Sequence, residues 1–447
     1  MDWLQLLSAK RIRESSTGTG GDRSEYERDY DRIIFSKPFR RLQKKTQVFP
    51  LPEHDFIHTR LTHSLETSSV GRSLGMLAGH EIIRRTPVLK EKNITAHDFA
   101  SIVAAASVAH DLGNPPLGHS GEDAISDYFK SKIGQELIKD LTPLQKLDLE
   151  KFEGNAMGFR LLAYTLPGVS SNEGGLNLTY TTLGVYTKYP CEIITNKIPG
   201  VSGKKHGFFQ SNKDLFVRIA DELGLIKKAN TNGVVAYYRH PLSFLIEAAD
   251  DISYLIMDLE DGYNLKIITY EKIEDAFINV LSKGYNNATF DKIIDQREKV
   301  AYLRANAISD LIYQVIDVFK SKYNDIMECR YDNALKDDIV KCKELVELKN
   351  LCQKEVYNYR KVLEIEAAGF EVIHGLLHEF LGSLKGSSKR SKKIRSLLSE
   401  HYITQKIDTP DQWYEAILNI VQFVAGMTDT FAIDTYRSIK GIRLPNY

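Results

Sequence analysis

The stretch Ala109-His110-Asp111-Leu112-Gly113-Asn114-Pro115-Pro116-Leu117-Gly118-His119-Ser120-Gly121-Glu122 joins a helix end to four polar groups suited to metal binding and proton transfer. Apolar residues recur at helical spacing from Phe99 to Ala109, which predicts a buried helix that begins after an N-cap at Thr95. Gly113 and the two prolines end that helix. Adjacent His110 and Asp111 side chains at such an end can turn toward one divalent cation.

Composition limits the possible functions of the 447-residue chain. Lys+Arg and Asp+Glu both number 59, so an anionic substrate must be held by a local cluster of positive groups. The four cysteines form no CxxC pair, which is typical of reduced thiols in a cytosolic protein. We find no signal peptide and no apolar run of about 18 residues. We therefore expect a cytoplasmic protein without a membrane span.

Helical periodicity dominates the chain, so we predict an all-α fold. The helical core should span residues 26–270, preceded by a flexible N-terminal arm over 1–25. Residues 271–447 should form additional C-terminal helices that pack on the core and complete the site. Residues 167–213 are rich in Gly, Asn, Thr and Tyr and interrupt the pattern. We expect loops and a small irregular or β insertion there, with a hairpin near 191–195.

Three shorter segments have their own predictions. Residues 29–45 carry apolar and basic positions at helical spacing and predict one short helix. Residues 385–395 hold six basic residues and no acidic one. We interpret this run as a solvated loop, the alternative being an anion-binding surface at a subunit interface. It contains no aromatic residue, which argues against a base-stacking platform.

Two ligands do not make a metal site, and the others must come from distant helices. His63 begins one predicted helix, and Asp250 lies with Asp251 on another. Each has an ordinary alternative, because a histidine can be a plain core residue and an acidic pair can be a solvated helix face. The order and spacing of the set, one position per predicted helix, favour the metal site. Imidazole plus carboxylate suits Zn, Mn, Fe, Co or Ni, and sites richer in oxygen ligands shift toward Mg or Mn. We expect Mn²⁺ or Mg²⁺ here, with Fe, Co, Ni or Zn as alternatives.

Seven segments together resemble the HD-domain deoxynucleoside triphosphate (dNTP) triphosphohydrolases, and most closely their bacterial dGTPase-like branch. The resemblance runs from about residue 26 to residue 429. Each short segment is weakly specific alone, but the ordered set is highly specific. The segments are FRRLQKKTQVFP (39–50), TRLTHS (59–64), HDLGNPPLGHSGE (110–122), FEGNA (152–156), GLNLTY (175–180), AADDISY (248–254) and GMTD (426–429).

The resemblance implies a reaction in which a water-derived oxygen attacks the α-phosphorus, releasing a deoxynucleoside and inorganic triphosphate. The implied metal ligands are His63, His110, Asp111 and Asp250. His119 and Glu122 match a catalytic dyad in which Glu122 orients His119 for acid or base work. Some relatives carry a second histidine where this chain has Phe152, which places more of the proton transfer on His119.

The resemblance also implies the substrate contacts. Arg60 would contact the α-phosphate, and Tyr254 and Asp258 would face the sugar, one and two turns after Asp250 on the same helix. Tyr254 would exclude a 2′-hydroxyl, while Gln47 and Asp258 would contact the 3′-hydroxyl. Without the resemblance, Tyr254 is equally well explained by core packing. The remaining contacts are Asn177, Lys188, Tyr189 and Lys205 (or Lys204) for the triphosphate and Glu366 for the base.

The primary hypothesis is therefore a metal-dependent dNTP triphosphohydrolase, with dGTP as the first substrate to test. A second hypothesis keeps the fold but changes the substrate to another phosphorylated nucleotide. A third is a nucleotide-sensing or single-stranded-DNA-binding protein with little turnover. We expect a homo-oligomer, as a hexamer or tetramer, with single-stranded DNA or a regulatory dNTP as further partners.

Overall fold

The computed structural model describes residues 1–13, 23–49, 57–166, 175–193, 198–229, 231, 233–403 and 407–443. Within these ranges the chain forms helices and turns, and extended pairing is limited to isolated bridges such as Cys191 with Ala236. The all-α prediction is confirmed. The hairpin predicted near 191–195 is wrong for its described part, because Cys191 forms a single bridge there and no strand; 194 and 195 lie outside the described residues.

Twenty-one α-helices are distinguished in the described part of the chain. In chain order they are α1 Trp3–Leu6, α2 Glu25–Ile34, α3 Lys37–Arg41, α4 Arg60–Arg85, α5 Val88–Glu91, α6 Ala96–Ala109, α7 His119–Lys130, α8 Lys132–Ile138, α9 Pro143–Glu150, α10 Gly154–Ala163, α11 Tyr180–Tyr186, α12 Lys213–Glu222, α13 Ser243–Asn264, α14 Tyr270–Asn279, α15 Asn287–Phe290, α16 Gln296–Met327, α17 Cys342–Leu351, α18 Arg360–Lys385, α19 Lys389–Arg395, α20 Pro410–Ala425 and α21 Asp429–Ile439. A π-helical segment, Cys352–Tyr357, links α17 toward α18.

The packing of α4 on α6 forms the centre of the fold. Gly71, Gly75 and Gly79 follow one another at four-residue spacing and form one row along α4. A Cβ atom on Gly75 would lie 2.7 Å from the Phe99 carbonyl oxygen and 2.9 Å from the Ala100 Cα. The backbones can therefore approach only because this row lacks side chains. The same row continues through Thr67 to His63, so the close contact also places His63 beside the end of α6.

Local signals set the ends of these two helices. Thr95 is the N-cap of α6, as predicted, and it also forms a capping box with Asp98. Thr59 caps α4 through the Thr62 backbone N–H, so α4 begins at Arg60, and His110 is the C-cap of α6. The start of α4 and the C-terminal end of α6 thus lie close together.

Buried apolar residues form two principal clusters. One surrounds α4, α6, α13 and α16, and the other joins α7 to α18, α20 and α21 through residues such as Phe129, Phe380 and Ile417. The helix α18 therefore packs directly on α7, the helix that begins at His119, and α20 and α21 pack on α18.

The flexible arm predicted over 1–25 is wrong for residues 1–13. Trp3 is buried against Phe99, and its indole Nε1–H donates to the Tyr323 hydroxyl at 2.7 Å. Arg11 is also buried and pairs with Asp29 at 2.7 Å. This segment is anchored by an apolar side chain and an internal ion pair, neither of which shows in local composition. Residues 14–22 lie outside the described residues.

Three further segments differ from their predictions. The insertion 167–213 contains a fully buried helix, α11, whose small and aromatic residues carry no amphipathic pattern. Residues 29–45 form parts of α2, α3 and a 3₁₀ turn rather than one helix, because Ser36 caps a new start before Pro38. The basic run 385–395 contains α19 instead of a continuous loop. Arg390 in α19 pairs with Glu379 at 2.6 Å.

Among the described residues no single helix is both long and apolar enough to cross a membrane. The helices α20 and α21 meet that test only as a pair, and they are bent by 113° relative to each other.

The close approach of α4 and α6 makes Gly75→Ala destabilising. The added methyl group meets backbone atoms that cannot rotate away, so the free energy of unfolding should fall by about 1–3 kcal/mol. Urea denaturation followed by circular dichroism measures this. The matched control is Gly382→Ala near the end of α18, where a Cβ meets nothing within 4 Å. That variant should gain up to about 1 kcal/mol from helix propensity. Equal effects of the two substitutions would contradict the packing argument.

Candidate functional site

Three side chains from three helices meet at the end of α6. The Nε2 atoms of His63 and His110 each lie 3.4 Å from Oδ1 of Asp250. One ligand atom from each residue lies within 4.8 Å of the others, and the two imidazole rings meet edge-on with their centroids 5.1 Å apart. Both histidines are buried, while Asp250 is partly exposed. This is the spacing of groups that can share one metal ion.

Hydrogen bonding sets the tautomer of His110. Its Nδ1 lies 2.7 Å from the Ser107 carbonyl oxygen, which can only accept, so Nδ1 carries the proton. The lone pair of Nε2 then points toward Asp250, and this buried atom has no hydrogen-bond partner in the described structure. A histidine held by its other ring nitrogen is the usual arrangement of a metal ligand.

Asp111, the fourth predicted ligand, lies beside this group. Its Oδ1 is 3.4 Å from Nε2 of His110 and accepts a hydrogen bond from the Asn114 side chain at 2.5 Å. Its Oδ2 accepts from Nη1 of Arg60 at 2.8 Å. Asp111 thus joins the histidines to Arg60, whose Nε is buried without a partner among the described residues. One direction of the guanidinium remains available to an anion.

The electrostatics of the cluster favour a cation between the imidazoles. Desolvation opposes ionisation of Asp250, but Lys188 and His110 hold the pKa of that carboxyl well below its ordinary value. Desolvation likewise opposes the charge of Asp111, yet Arg60 and the imidazoles lower its pKa. Burial lowers the pKa of His110, but the neighbouring Asp111 and Asp250 carboxylates raise it overall. Two carboxylates that stay ionised beside two imidazoles fit a divalent cation.

Lys188 also contacts this cluster. Its Nζ donates to Oδ2 of Asp250 at 2.9 Å, and the lysine is buried. The pKa of Lys188 is raised, because the Asp250 carboxylate outweighs the cost of burial. The positively charged Lys188 therefore contacts Oδ2 of Asp250, whereas the two histidines face Oδ1.

A cavity of about 530 Å³ adjoins the cluster. Two polar atoms at its wall, Oε1 of Gln47 and Oδ1 of Asp258, are buried and unpartnered within the described ranges. Burial raises the pKa of Asp258 to about 7, and a hydrogen bond from Tyr357 opposes that rise. Eight of the predicted site residues line this cavity: Gln47, Arg60, His63, Asp111, Asp250, Tyr254, Asp258 and Glu366.

Several cavity residues were not identified from the sequence. Tyr357 donates its hydroxyl to Oδ2 of Asp258 at 2.6 Å. It belongs to the π-helical segment Cys352–Tyr357, and such segments are frequent at functional sites. Lys349, Gln353 and Asn358 line the same wall. No motif marks this region, because its residue types are common on any charged helix.

Glu122 lies in the first turn of α7. Its Oε1 accepts the Gly154 backbone N–H at 2.9 Å. Burial and then the charge of Glu153 raise the pKa of Glu122 to about 7, while Lys205 opposes the rise. A carboxyl with this pKa exchanges protons near neutrality. His119 is the first residue of α7, and its side chain lies outside the part of the chain that the structure describes.

The predicted triphosphate contacts divide between two places. Lys205 pairs with Glu153 at 2.9 Å and, with Lys204, lines a second cavity of about 810 Å³. Tyr189 is held near both Lys188 and Lys205; burial raises its pKa, and the two lysines oppose this. Neither Lys205 nor Tyr189 lines the cavity beside the metal cluster.

Among the described residues, Asn177 contacts the N-terminal segment and not the other predicted triphosphate-binding residues. Its side-chain Oδ1 accepts from the Arg13 backbone N–H at 3.0 Å, and its carbonyl accepts from Arg11. It lines neither of the two cavities described above. The structure therefore does not bring Asn177 to the other predicted substrate contacts. Phe152 is buried, with its ring centroid 6.2 Å from that of Phe209.

The chain is similar in sequence to known phosphohydrolases. Residues 341–438 match a family model described as a phosphohydrolase-associated domain. The chain is 39% identical to a deoxyguanosinetriphosphate triphosphohydrolase-like protein of Synechocystis sp., over 99% of this chain and 100% of the relative. It is 34% identical to a protein of the same description from Pseudomonas aeruginosa, over the whole of both chains. It is 29% identical to a deoxyguanosinetriphosphate triphosphohydrolase of Klebsiella pneumoniae, over 93% of this chain and 94% of the relative.

The geometry predicts one divalent-ion site per chain that depends on His110. Mn²⁺ titration followed by calorimetry should give one bound ion, and His110→Ala should weaken binding about 100-fold or more because a ligand is lost. His97→Ala is the matched control, since His97 is exposed on the same helix. Unchanged Mn²⁺ affinity in His110→Ala would contradict the assignment of the cluster.

Proposed function

Because the chain belongs to the HD-domain dNTP triphosphohydrolase family, we propose that it is a hydrolase that splits a dNTP at the α-phosphate. The products are a deoxynucleoside and inorganic triphosphate, the reaction requires a divalent metal ion, and dGTP is the proposed first substrate. One observation carries the proposal: the His63, His110 and Asp250 cluster lies at a cavity that also contains Arg60 and the Tyr254–Asp258 helix face.

The proposed metal ligands are His63, His110, Asp111 and Asp250. The unpartnered Nε2 of His110 and the ionised carboxylates fit this role. A bound divalent ion would act as a Lewis acid toward an α-phosphate oxygen and would make water more acidic.

Positive groups around the cluster would hold the phosphates. Arg60 is fixed by Asp111 and still has an unpartnered Nε, so it can bind the α-phosphate from one side. Lys188 contacts Asp250 and Lys205 contacts Glu153, so these two lysines supply the positive charge, while the neutral Tyr189 hydroxyl can hydrogen-bond a phosphate oxygen. These side chains would spread the triphosphate charge as it leaves.

Glu122 and His119 would handle the protons. Glu122 would orient His119 through its ionised form, and His119 would protonate the 5′-oxygen of the leaving deoxynucleoside or take the proton of the attacking water. The raised pKa of Glu122, about 7, supports a group that changes charge in the working pH range.

The sugar would bind against α13. Asp258 is held by Tyr357 through one oxygen and keeps the other without a partner among the described residues, so it can accept a hydrogen bond from the 3′-hydroxyl. Gln47 offers a second unpartnered oxygen. Tyr254 would cover the sugar face and exclude a 2′-hydroxyl. The Glu366 carboxylate at the cavity rim would accept from guanine N–H groups, which supports dGTP as the first substrate.

The resemblance also supports a larger assembly. We infer a homo-oligomer, a tetramer or hexamer, with single-stranded DNA or a second dNTP as regulators. We further infer that residues 26–270 form the catalytic core and that residues 271–447 complete its site.

Product analysis tests the reaction. The purified protein with Mn²⁺ should convert dGTP to deoxyguanosine and triphosphate, and the other dNTPs more slowly. In ¹⁸O-water the label should enter the triphosphate, because attack on the α-phosphorus leaves the nucleoside with its own 5′-oxygen. GTP is the control and should remain intact. Release of dGMP and pyrophosphate would refute the proposal, whereas preference for GTP would refute the sugar assignment.

The pH dependence tests the role of Glu122. Because the raised pKa leaves Glu122 neutral below about pH 7, wild-type kcat should fall as the pH drops through that value. Glu122→Gln should lower kcat about 100-fold and remove this limb of the profile. Glu136→Gln, at an exposed position of α8, is the control and should behave as wild type. If kcat of Glu122→Gln still fell at low pH as in wild type, the titrating group would be a residue other than Glu122.

A further inference from the structure

The backbone in front of α7 adopts an unfavourable conformation. Leu117 has φ of +67° and Gly118 has φ of +73°, and the next residue is His119. The left-handed region suits glycine, but a leucine there is strained by its Cβ atom. A strained residue of this kind persists only where its surroundings hold it.

Contacts from the C-terminal helices hold Leu117 in place. Its backbone N–H donates to Oδ1 of Asp429, the first residue of α21, at 2.8 Å. Its buried side chain packs on Gly369 of α18, where an added Cβ would lie 3.3 Å from Leu117 Cδ1. The hydroxyl of Ser120 closes the turn by donating to the Leu117 carbonyl at 2.7 Å.

The second oxygen of the same carboxylate holds the opposite loop. Oδ2 of Asp429 accepts the Thr46 backbone N–H at 2.8 Å and also the Thr46 hydroxyl. Thr46 directly precedes Gln47. Lys45 supports this junction, since its Nζ donates to the Asn114 and Ala425 carbonyls, each at 2.6 Å. One buried carboxylate thus ties together the two loops that carry Gln47 and His119.

We propose that Asp429 is a positioning residue of the site: it fixes the backbone that carries His119 relative to the loop that carries Gln47. The proposal rests on the proposed function, because Asp429 would act on hydrolysis only through those two residues. It also gives the C-terminal helices an indirect part in catalysis, through the position of those two residues. A carboxylate at the first turn of α21 is favoured by the helix dipole, which stabilises the ionised form of Asp429.

The first experiment compares Asp429→Asn with Asp434→Asn, an exposed aspartate on the same helix. Asparagine keeps the shape but presents an N–H₂ group to one of the two donors, so one loop loses its anchor. We expect kcat for dGTP to fall about 100-fold, as small misplacements of reacting groups do. Both variants should still bind one Mn²⁺ per chain. Wild-type kcat in Asp429→Asn overturns the proposal.

A second variant moves the same backbone from the other side. Gly369→Ala adds a methyl group against Leu117 inside α18, where alanine is the better helix former. We expect a urea midpoint at or above that of wild type together with at least a severalfold loss of kcat. If these contacts had a purely structural role, the urea midpoint and kcat would fall together. If Asp429→Asn does not fold, Gly369→Ala decides, and full kcat in it counts against the proposal.

A spectroscopic readout separates this proposal from the proposed function. The ¹³Cε1–H resonance of His119, assigned by its loss in His119→Ala, should shift in Asp429→Asn and Gly369→Ala but not in Asp434→Asn. This signal needs no substrate and no turnover. A shift without any dNTP hydrolysis by the wild-type chain refutes the proposed function alone. An unmoved His119 resonance in both test variants refutes the role of Asp429.

Discussion

The close contact between α4 and α6 is the constraint on which the site depends. Helices normally pack 8–10 Å apart because side chains separate them. Here a row of glycines lets the α4 backbone touch the backbone of α6, and a methyl group at Gly75 would already collide with it. The row ends at His63, and His110 is the C-cap of α6. A wider spacing of the helices would move the two imidazoles apart and leave no common metal site.

Side chains of opposite charge pair with one another around this helix contact. The two histidines meet the carboxylates of Asp111 and Asp250, which in turn pair with Arg60 and Lys188. A buried carboxylate without a partner is costly, so each cation stabilises a ligand in its ionised form. The same cations stand where phosphate oxygens would approach. The groups that prepare the metal ligands are thus also the groups proposed to receive the substrate.

Sequence patterns predicted the parts of this structure that depend on distinctive residue types. The structure brings His63, His110 and Asp250 together, with Asp111 beside His110, and their role as metal ligands stays a prediction. The fold class followed from periodicity. The wall formed by Tyr357 and its neighbours was missed, because Tyr, Gln, Asn and Lys at helical spacing have no chemical signature. The burial of Trp3 was missed for a related reason: its partners, Phe99 and Tyr323, are distant in sequence.

Asp429 shows how a site can depend on residues that no chemical motif explains. Its segment, 426–429, carries a family resemblance but no metal ligand and no proton-transfer group. Its importance lies in geometry: two loops from the catalytic helices end at one carboxylate of the C-terminal region. A strained Leu117 is stable only when that region is folded against it. The C-terminal helices therefore determine the conformation of the backbone before His119, which links the folding of one hydrophobic cluster to the proposed chemistry at the edge of the other.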